Sequence, residues 1–317
     1  MPELPEVETT ANDLNELIVG KKISDVWSGY DSPYYYDKPQ IKDPKFFKKF
    51  KKIIIGTKVI SVSRRAKNVL INLSNNKTIL IHMKMTGHIL YGKYEYSKKN
   101  KEWTPKEKSG PLNDPFNAWL RFVIEFSNGK HLALSDMRKF AKVTLLDTAS
   151  LNESEDLKKV GPEIFEKNFN FKVFKERLEK KPNGNIKTVL MDQEIVAGIG
   201  NIYSDEALWL TKIHPETKVK NLINKNKKSE TELKELFKNI KLVLKKGINF
   251  KGDSMQDYRR PSGESGSFQK HHAVYQRKKE DCKRNMKTKD KARCKGKIER
   301  IVVNGRSSHF CPVCQKI

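Results

Sequence analysis

The chain contains no apolar run near the roughly 18 residues that a membrane-spanning helix needs. Its first ten residues, MPELPEVETT, are acidic and lack the apolar core of a signal peptide. Neither membrane insertion nor secretion is expected, which places the protein inside the cell. Cysteine is scarce, with four in 317 residues and none before position 282. In a chain without a secretory signal, such a clustered quartet points to metal ligation before disulfides. Acidic residues are also few, 38 against 64 Lys and Arg, leaving a formal net charge of +26. That excess self-repels unless it faces something anionic, so nucleic acid is the first partner to consider. The hydrophobic fraction, 37%, is lean but spread along the chain, which supports a folded core and excludes full disorder. No internal repeat is present, and the length suggests two domains with a small appendage.

The first half reads as strands behind one helix. Val7, Leu14, Leu17 and Ile18 recur at helical spacing over residues 6–19, and Gly20 is placed to end that helix. Extended runs are expected at 53–55 and 59–62. Val69, Ile71 and Leu73 alternate up to a turn at Asn75 and Asn76, and the pattern resumes over 79–81. A second hairpin joins 122–126 to 131–134 through Asn128 and Gly129. Short antiparallel strands at this spacing suggest a β-sandwich or barrel. The polar, Lys- and Pro-containing stretch 91–116 reads as a long surface loop. After about residue 148 the period becomes helical. A helix is expected over 171–180 with Phe174 and Leu178 inward. A stronger one carries Leu233, Leu236, Phe237, Ile240 and Leu244 on one face, with Ser229 and Glu232 as a capping box and Gly247 after it. Residues 251–270, rich in Gly and Ser, read as a mobile loop.

The cysteines close the chain. Cys311 and Cys314 form a C-x2-C knuckle whose reverse turn lets two thiolates meet one tetrahedral ion, expected to be a single structural Zn2+. Cys294 lies upstream across an expected hairpin over 298–303 with its turn at Asn304 and Gly305. Eleven residues separate Cys282 from Cys294 where two to four would be usual, so Cys282 reads either as the fourth ligand or as a free thiol. The insert, KRNMKTKDKAR, is hydrophilic and could loop out without moving either cysteine. So short a module has little core of its own, and metal binding would contribute directly to its folding.

At the other end, Met1 precedes Pro2. A small second residue favours removal of the initiator Met, which would leave a secondary amine. An α-amino group titrates near pH 8, far below lysine, so a useful fraction is unprotonated at neutral pH. Such an amine can attack an electrophilic carbon and form an iminium, with Glu3 beside it able to give a proton. Many chains beginning Met-Pro use the proline for nothing but terminal stability, so chemistry alone does not decide the matter.

Seven segments carry a resemblance: the opening MPELPEVETT, then SRRAKNVLI (63–71), IHMKMTGHIL (81–90), SDMRKFAKV (135–143), DQEIVAGIGNIYSDEALW (192–209), GSFQKHHAVYQR (266–277) and NGRSSHFCPVCQK (304–316). Collinear and spanning the whole chain, they resemble the formamidopyrimidine-DNA glycosylases, whose wider family includes endonuclease VIII. The resemblance implies an α+β multidomain fold: an N-terminal β-sandwich with one helix (1–148), a linker (149–160), a helix–two-turn–helix domain (161–255), a flexible lesion-capping loop (256–272) and a C-terminal zinc-finger β-hairpin (273–317).

It also implies a bifunctional enzyme of base-excision repair, acting as a monomer on double-stranded DNA that contains oxidised bases or abasic sites. By resemblance, Pro2 attacks the sugar C1′ and forms a Schiff base, Glu3 protonates the sugar ring, and Lys67 donates a proton in elimination. Arg306 grips phosphate and serves δ-elimination. Met85, Arg138 and Phe140 would fill the space left by an everted base, with Arg138 also facing the estranged cytosine. His82, Lys187, Asn201 and Tyr275 would contact the lesion-side backbone, Asn201 at a helix N-terminus suited to phosphate. Resemblance makes Cys282, Cys294, Cys311 and Cys314 the zinc ligands.

The chain departs from its relatives in four places. The interval between Cys282 and Cys294 is long. Arg138, Lys139, Phe140 and Ala141 stand where Arg-Arg-Phe-Gly is usual. Trp119 and Arg121 replace a His-x-His pair, and 91–116 is longer than usual. Two other readings remain open. One is an endonuclease VIII-type glycosylase for oxidised pyrimidines, although that branch opens Pro-Glu-Gly-Pro where this chain has Leu4. The other is a lesion-binding protein without catalysis, against which Pro2, Glu3, Lys67 and Arg306 argue together.

Overall fold

The computed structural model describes residues 1–223, 226–285 and 294–317. They form two compact units, Met1–Lys158 with Ile248–Gln269, and Lys159–Gly247 with Lys270–Ile317. The outward looping expected between Cys282 and Cys294 falls mainly on 286–293, outside the described residues. Among the described residues no helix is long and apolar enough to cross a membrane.

In the first unit, α1 (Leu4–Ile18) starts with Pro5 in its first turn, where the missing N–H costs nothing. Gly20, in the left-handed region at φ +79°, follows it. Two antiparallel four-stranded sheets come next. One runs β1 (Ile23–Ser28), β8 (Leu120–Phe126), β9 (His131–Ser135), β5 (His88–Gly92) across its width. The other runs β10 (Lys142–Asp147), β4 (Lys77–His82), β3 (Asn68–Leu73), β2 (Val59–Arg65). Alternate residues enter the core between them. Val26, Phe122, Ile124, Leu132 and Leu134 come from the first sheet, and Val69, Ile71, Ile79, Ile81 and Val143 from the second. Val7, Ala11, Leu14 and Ile18 of α1 join them. The expected hairpins are present: β3 and β4 flank Asn76 at φ +58°, and β8 and β9 flank Gly129 at φ +72°.

Two expectations for this unit are corrected. The apolar run at 53–55 ends a helix, α2 (Pro44–Ile54), and is no strand. Asp43 caps it by accepting from the amides of Lys45 (2.7 Å) and Phe46 (3.3 Å), and Pro44 fits its first position. Phe50 and Ile54 then turn into the sandwich core. The stretch 91–116 is structured as well, as a hairpin of β6 (Tyr94–Ser97) and β7 (Glu102–Pro105) followed by two 3-10 turns. What holds it is non-local. Trp103 and Tyr96 pack with Trp27 at centroid distances of 6.2 and 5.8 Å, and Tyr94 and Leu112 cover Leu90, Val123 and Ala133 on the outer face of the first sheet.

The segment after Ile248 contains little regular structure, yet it is fastened. Arg260 pairs with Asp13 and Arg259 with Asp114, both at 2.9 Å, and the amide of Tyr91 donates to the Pro261 carbonyl at 2.8 Å. Buried Tyr258 donates its hydroxyl to the Glu6 carbonyl at 3.1 Å.

The second unit contains α3 (Phe171–Glu179), α4 (Ile186–Met191), α5 (Asn201–Thr211), α6 (Val219–Ile223) and α7 (Lys227–Asn249). It ends in the hairpin of β11 (Glu299–Val303) and β12 (Arg306–Phe310). Asn304 and Gly305, at φ +45° and +75°, make the hairpin turn that their sequence promised. Phe174 and Leu178 are buried as expected. The inward face of α7 is also as expected, but its start is not. Asn226, not Ser229, supplies the cap, accepting from the Ser229 amide at 2.8 Å, because the helix begins upstream of the expected box. Gly247 lies inside the helix instead of after it, and a Cβ there would stand 2.5 Å from the Tyr203 ring. Its role is to let α7 approach that ring closely. Gly247→Ala is therefore expected to destabilise the second unit by about 1–3 kcal/mol through overpacking, read as a lower thermal midpoint. An unchanged or raised midpoint would remove close approach as the reason for this glycine.

Candidate active site and tetracysteine centre

In the first unit, the site begins at the head of α1. Pro2 and Glu3 are buried, and the Glu3 amide donates to Glu6 Oε2 at 2.7 Å. The other Glu6 oxygen accepts from the Asp253 amide at 2.8 Å. One buried carboxylate thus holds both the residue after Pro2 and the start of the Ile248–Gln269 segment. Gly252, at φ +84°, comes close enough that a Cβ would lie 3.0 Å from Glu6 Cγ.

Lys67 sits at the two-residue turn between β2 and β3, where Ala66 takes φ +52°, and its side chain is buried. Asn68 pairs with His82 across β3 and β4, which brings His82 into the field of Lys67. Burial first, then the charges of Lys84 and Lys67, hold the His82 imidazole down to about 3. Its Nδ1 accepts from the Lys84 amide at 3.0 Å, so the neutral ring carries its proton on Nε2.

Met85, Arg138 and Phe140 are brought together on one surface. Met85 is 38% and Phe140 45% exposed, unusual for large apolar side chains, and the Arg138 guanidinium lies 4.5 Å from the Phe140 ring centre. Beneath them is Asp136, fully buried. It accepts from Thr86 Oγ1 (2.7 Å), Tyr30 Oη (2.8 Å) and the Ala141 amide (2.8 Å), and Thr86 Oγ1 in turn accepts from the Arg138 amide at 3.1 Å. Asp136 therefore ties the Met85 turn to the loop of Arg138 and Phe140. Lys42 stands nearby with Nζ 4.4 Å from the Tyr35 ring centre, and burial lowers it to about 8 against the pull of Asp136. Trp119 and Arg121 also pair, the guanidinium 5.6 Å from the indole.

In the second unit α5 is the organiser. Gly200 precedes it, and Asn201 occupies its first turn with Nδ2 3.4 Å from Ser307 Oγ. Lys187 is only 1% exposed and is ion-paired with Asp205. Asp205 also accepts from Ser308 Oγ (2.7 Å), the His309 amide (2.8 Å) and His309 Nδ1 (3.2 Å). The next residue, Glu206, accepts from three successive amides, Ala273 (2.8 Å), Val274 (2.9 Å) and Tyr275 (2.9 Å). That seats Tyr275, whose ring lies edge-on to His309 at 5.1 Å. Arg306, at the tip of the β11–β12 hairpin, is exposed.

All four cysteines meet. Their Sγ atoms lie within 4.8 Å of one another, with those of Cys294 and Cys311 3.5 Å apart. Zinc–sulfur bonds of about 2.3 Å place tetrahedral thiolates about 3.8 Å apart, so the cluster fits one Zn2+ with no fifth donor needed. Cys282 is fully buried within it, in a position to serve as the fourth ligand.

Asp136, Glu6, Asp205 and Glu206 were not singled out in the sequence. The available signal was slight: each is an acid inside a quoted motif of a strongly basic chain.

These features correspond to a known class: a β-sandwich unit led by one helix, and a helical unit closed by a tetracysteine finger. The chain matches the formamidopyrimidine-DNA glycosylase N-terminal domain over residues 1–143, the H2TH domain of the same enzymes over 160–259, and the zinc finger found in FPG and IleRS over 292–317. It is 36% identical to the formamidopyrimidine-DNA glycosylase of Herpetosiphon aurantiacus, over 99% of this chain and 100% of that one. Identity to the Streptococcus mutans enzyme of the same name is also 36%, over the whole of both chains. Among solved structures, Lactococcus lactis Fpg with abasic-site DNA matches at a TM-score of 0.79 and 31% identity, covering 99% of this chain and 100% of that one. A mutant of it with Fapy-dG-containing DNA gives 0.79 and 32%, covering both chains fully. The chain belongs to the formamidopyrimidine-DNA glycosylase family, and it carries that family's zinc finger.

His82 and buried His88, held down to about 4 chiefly by burial, give the first unit an acid weakness. Unfolded histidine takes its proton near 6.5. Between that value and the folded ones the unfolded chain binds more protons, so stability is full above pH 6.5 and falls as pH drops. Each ring contributes a slope of up to about 1.4 kcal/mol per pH unit. His88→Gln should flatten the fall in denaturation midpoint between pH 7 and pH 5. An equally steep fall in that variant would contradict the assignment.

Proposed function

We propose that the protein is a bifunctional DNA glycosylase and abasic-site lyase that removes oxidised purines, 8-oxoguanine and formamidopyrimidines, from duplex DNA. The observation that carries this reading is the pair Pro2 and Glu3, buried side by side at the head of α1 and fastened by Glu6, in a chain of this family. With Met1 removed, the Pro2 nitrogen attacks C1′ of the damaged nucleotide. The C1′–N bond to the base breaks and the base departs, while Glu3 gives a proton to the sugar ring oxygen as the ring opens. The resulting iminium acidifies the C2′ proton. Its loss expels the 3′ phosphate, and a second elimination expels the 5′ phosphate, with Lys67 and Arg306 supplying protons and phosphate contact.

Met85, Arg138 and Phe140 support the binding side of this reading. They are exposed apolar and cationic groups held on a rigid base by Asp136, as a wedge filling the space of an everted base must be. Asn201 at the start of α5, with His82, Lys187 and Tyr275, takes the phosphate-positioning role. Lys187, buried in its ion pair with Asp205, also donates to the carbonyls of Ser307 (3.1 Å) and Asn201 (3.4 Å), so its part in this reading is to seat those residues from beneath. The proposed domain assignment is 1–148, 149–160, 161–255, 256–272 and 273–317, with 256–272 covering the lesion, and in it Ile248–Gln269 packs with the first unit.

The test is to incubate the protein with an 8-oxoguanine:cytosine duplex in the presence of sodium borohydride, alongside Pro2→Gly, and to resolve products on a denaturing gel. A covalent adduct that Pro2→Gly abolishes or greatly weakens is expected. Tight binding with no adduct, in protein whose intact mass shows Met1 removed, would contradict the lyase reading for this lesion. An adduct only on an oxidised-pyrimidine duplex would favour the endonuclease VIII branch.

A further inference from the structure

Eleven residues separate Cys282 from Cys294, and a metal site with so long an interval must be fastened where that interval begins. The fastening is visible two residues past the first ligand. The Arg284 guanidinium donates to the carbonyls of Trp209 (2.5 Å) and Leu210 (2.9 Å) in the last turn of α5, and to Cys314 Sγ at 3.4 Å. It also lies 4.3 Å from the ring centre of Trp209. The indole Nε1 of Trp209 in turn donates to Cys282 Sγ at 3.3 Å. Beside Arg284, Lys283 Nζ bonds the His272 carbonyl. The last turn of a helix leaves carbonyls without partners and carries partial negative charge, so a guanidinium is well placed there. Four thiolates on one Zn2+ leave two net negative charges. A charged donor to one sulfur and a neutral donor to another draw electron density from both. Cys314 is the least buried of the four ligands and is the one that receives the guanidinium.

We infer that Arg284 and Trp209 are the positioning pair of the zinc centre. Arg284 pins the start of the long interval to the C-terminal end of α5, and the pair clamps Cys314 and Cys282 so that the tetrathiolate keeps its metal. The interval is tolerated because its first two residues are anchored, whatever the length that follows.

The experiment uses the full chain, shown to contain one zinc per molecule, and follows zinc transfer to an excess of a chromogenic chelator. Arg284→Leu is expected to release zinc about 10–100-fold faster than the unaltered protein. Arg284→Lys should be intermediate, since an ammonium keeps the charge but loses the planar fork. In cobalt-substituted protein, loss of an N–H···S bond should move the thiolate-to-metal charge-transfer bands to lower energy in Arg284→Leu and in Trp209→Phe. A residue that merely supported the fold would leave those bands in place. Unchanged release and unchanged bands in Arg284→Leu would overturn the proposal. Where that variant fails to fold, the bands of Arg284→Lys and Trp209→Phe decide it in the same way. A chain with four accessible thiols and no zinc would overturn the metal centre itself.

Discussion

Two adjacent buried carboxylates on α5, Asp205 and Glu206, are the constraint on which the second unit depends. An ionised carboxylate in an apolar interior costs several kcal/mol unless it is paired and hydrogen-bonded. Every requirement of these two is met from distant parts of the same unit. Asp205 draws in Lys187 on α4 and Ser308 and His309 on β12, while Glu206 gathers three amides from 273–275. A short finger has too little apolar surface to fold alone. Here it is held by its metal ligands and by a helix whose acids demand its donors. One turn further along α5, Trp209 reaches the cysteine cluster. The helix that presents Asn201 at its start therefore also fixes Tyr275, the hairpin carrying Arg306, and the zinc centre.

The first unit uses the same device on a smaller scale. Glu6 collects the Glu3 and Asp253 amides, and Asp136 collects Tyr30, Thr86 and Ala141. In a chain with 38 acids against 64 bases, four acids are spent inside the fold as acceptors beside the residues proposed for chemistry and DNA contact. Surface cations remain available for phosphate, while the buried acids set the geometry. This division lets a strongly basic protein keep ordered loops at its binding surface.

The sandwich was legible because its signals are local: Asn75 and Asn76, and Asn128 and Gly129, mark turns between alternating strands. The second helix, α2, was obscured because its lysines dilute the apolar spacing of Phe46, Phe50 and Ile54, leaving three consecutive isoleucines to suggest a strand. The β6–β7 hairpin was illegible for a different reason: its stability comes from Trp27, about 70 residues upstream. Asn226 displaced the expected cap of α7 because a capping box cannot tell whether the helix starts earlier. The Cys311–Cys314 knuckle could be read from spacing, Cys282 as its partner only with the resemblance, and Arg284 not at all, since nothing local distinguishes it from the other cations of its insert. Resemblance, not chemistry, singled out Lys67, Met85, Arg138 and Arg306. The buried acids that position their neighbours stayed hidden, because their partners lie up to 247 residues away.

The central claim is that the α5 carboxylates, and not the metal alone, hold the finger in register. Amide hydrogen exchange on zinc-loaded Glu206→Gln tests it directly. Gln keeps size and one acceptor but cannot hold three amides as a carboxylate does. The account predicts that protection collapses at Ala273, Val274 and Tyr275 while the sandwich and the zinc content stay unchanged. Full protection at those three amides in the variant would contradict it.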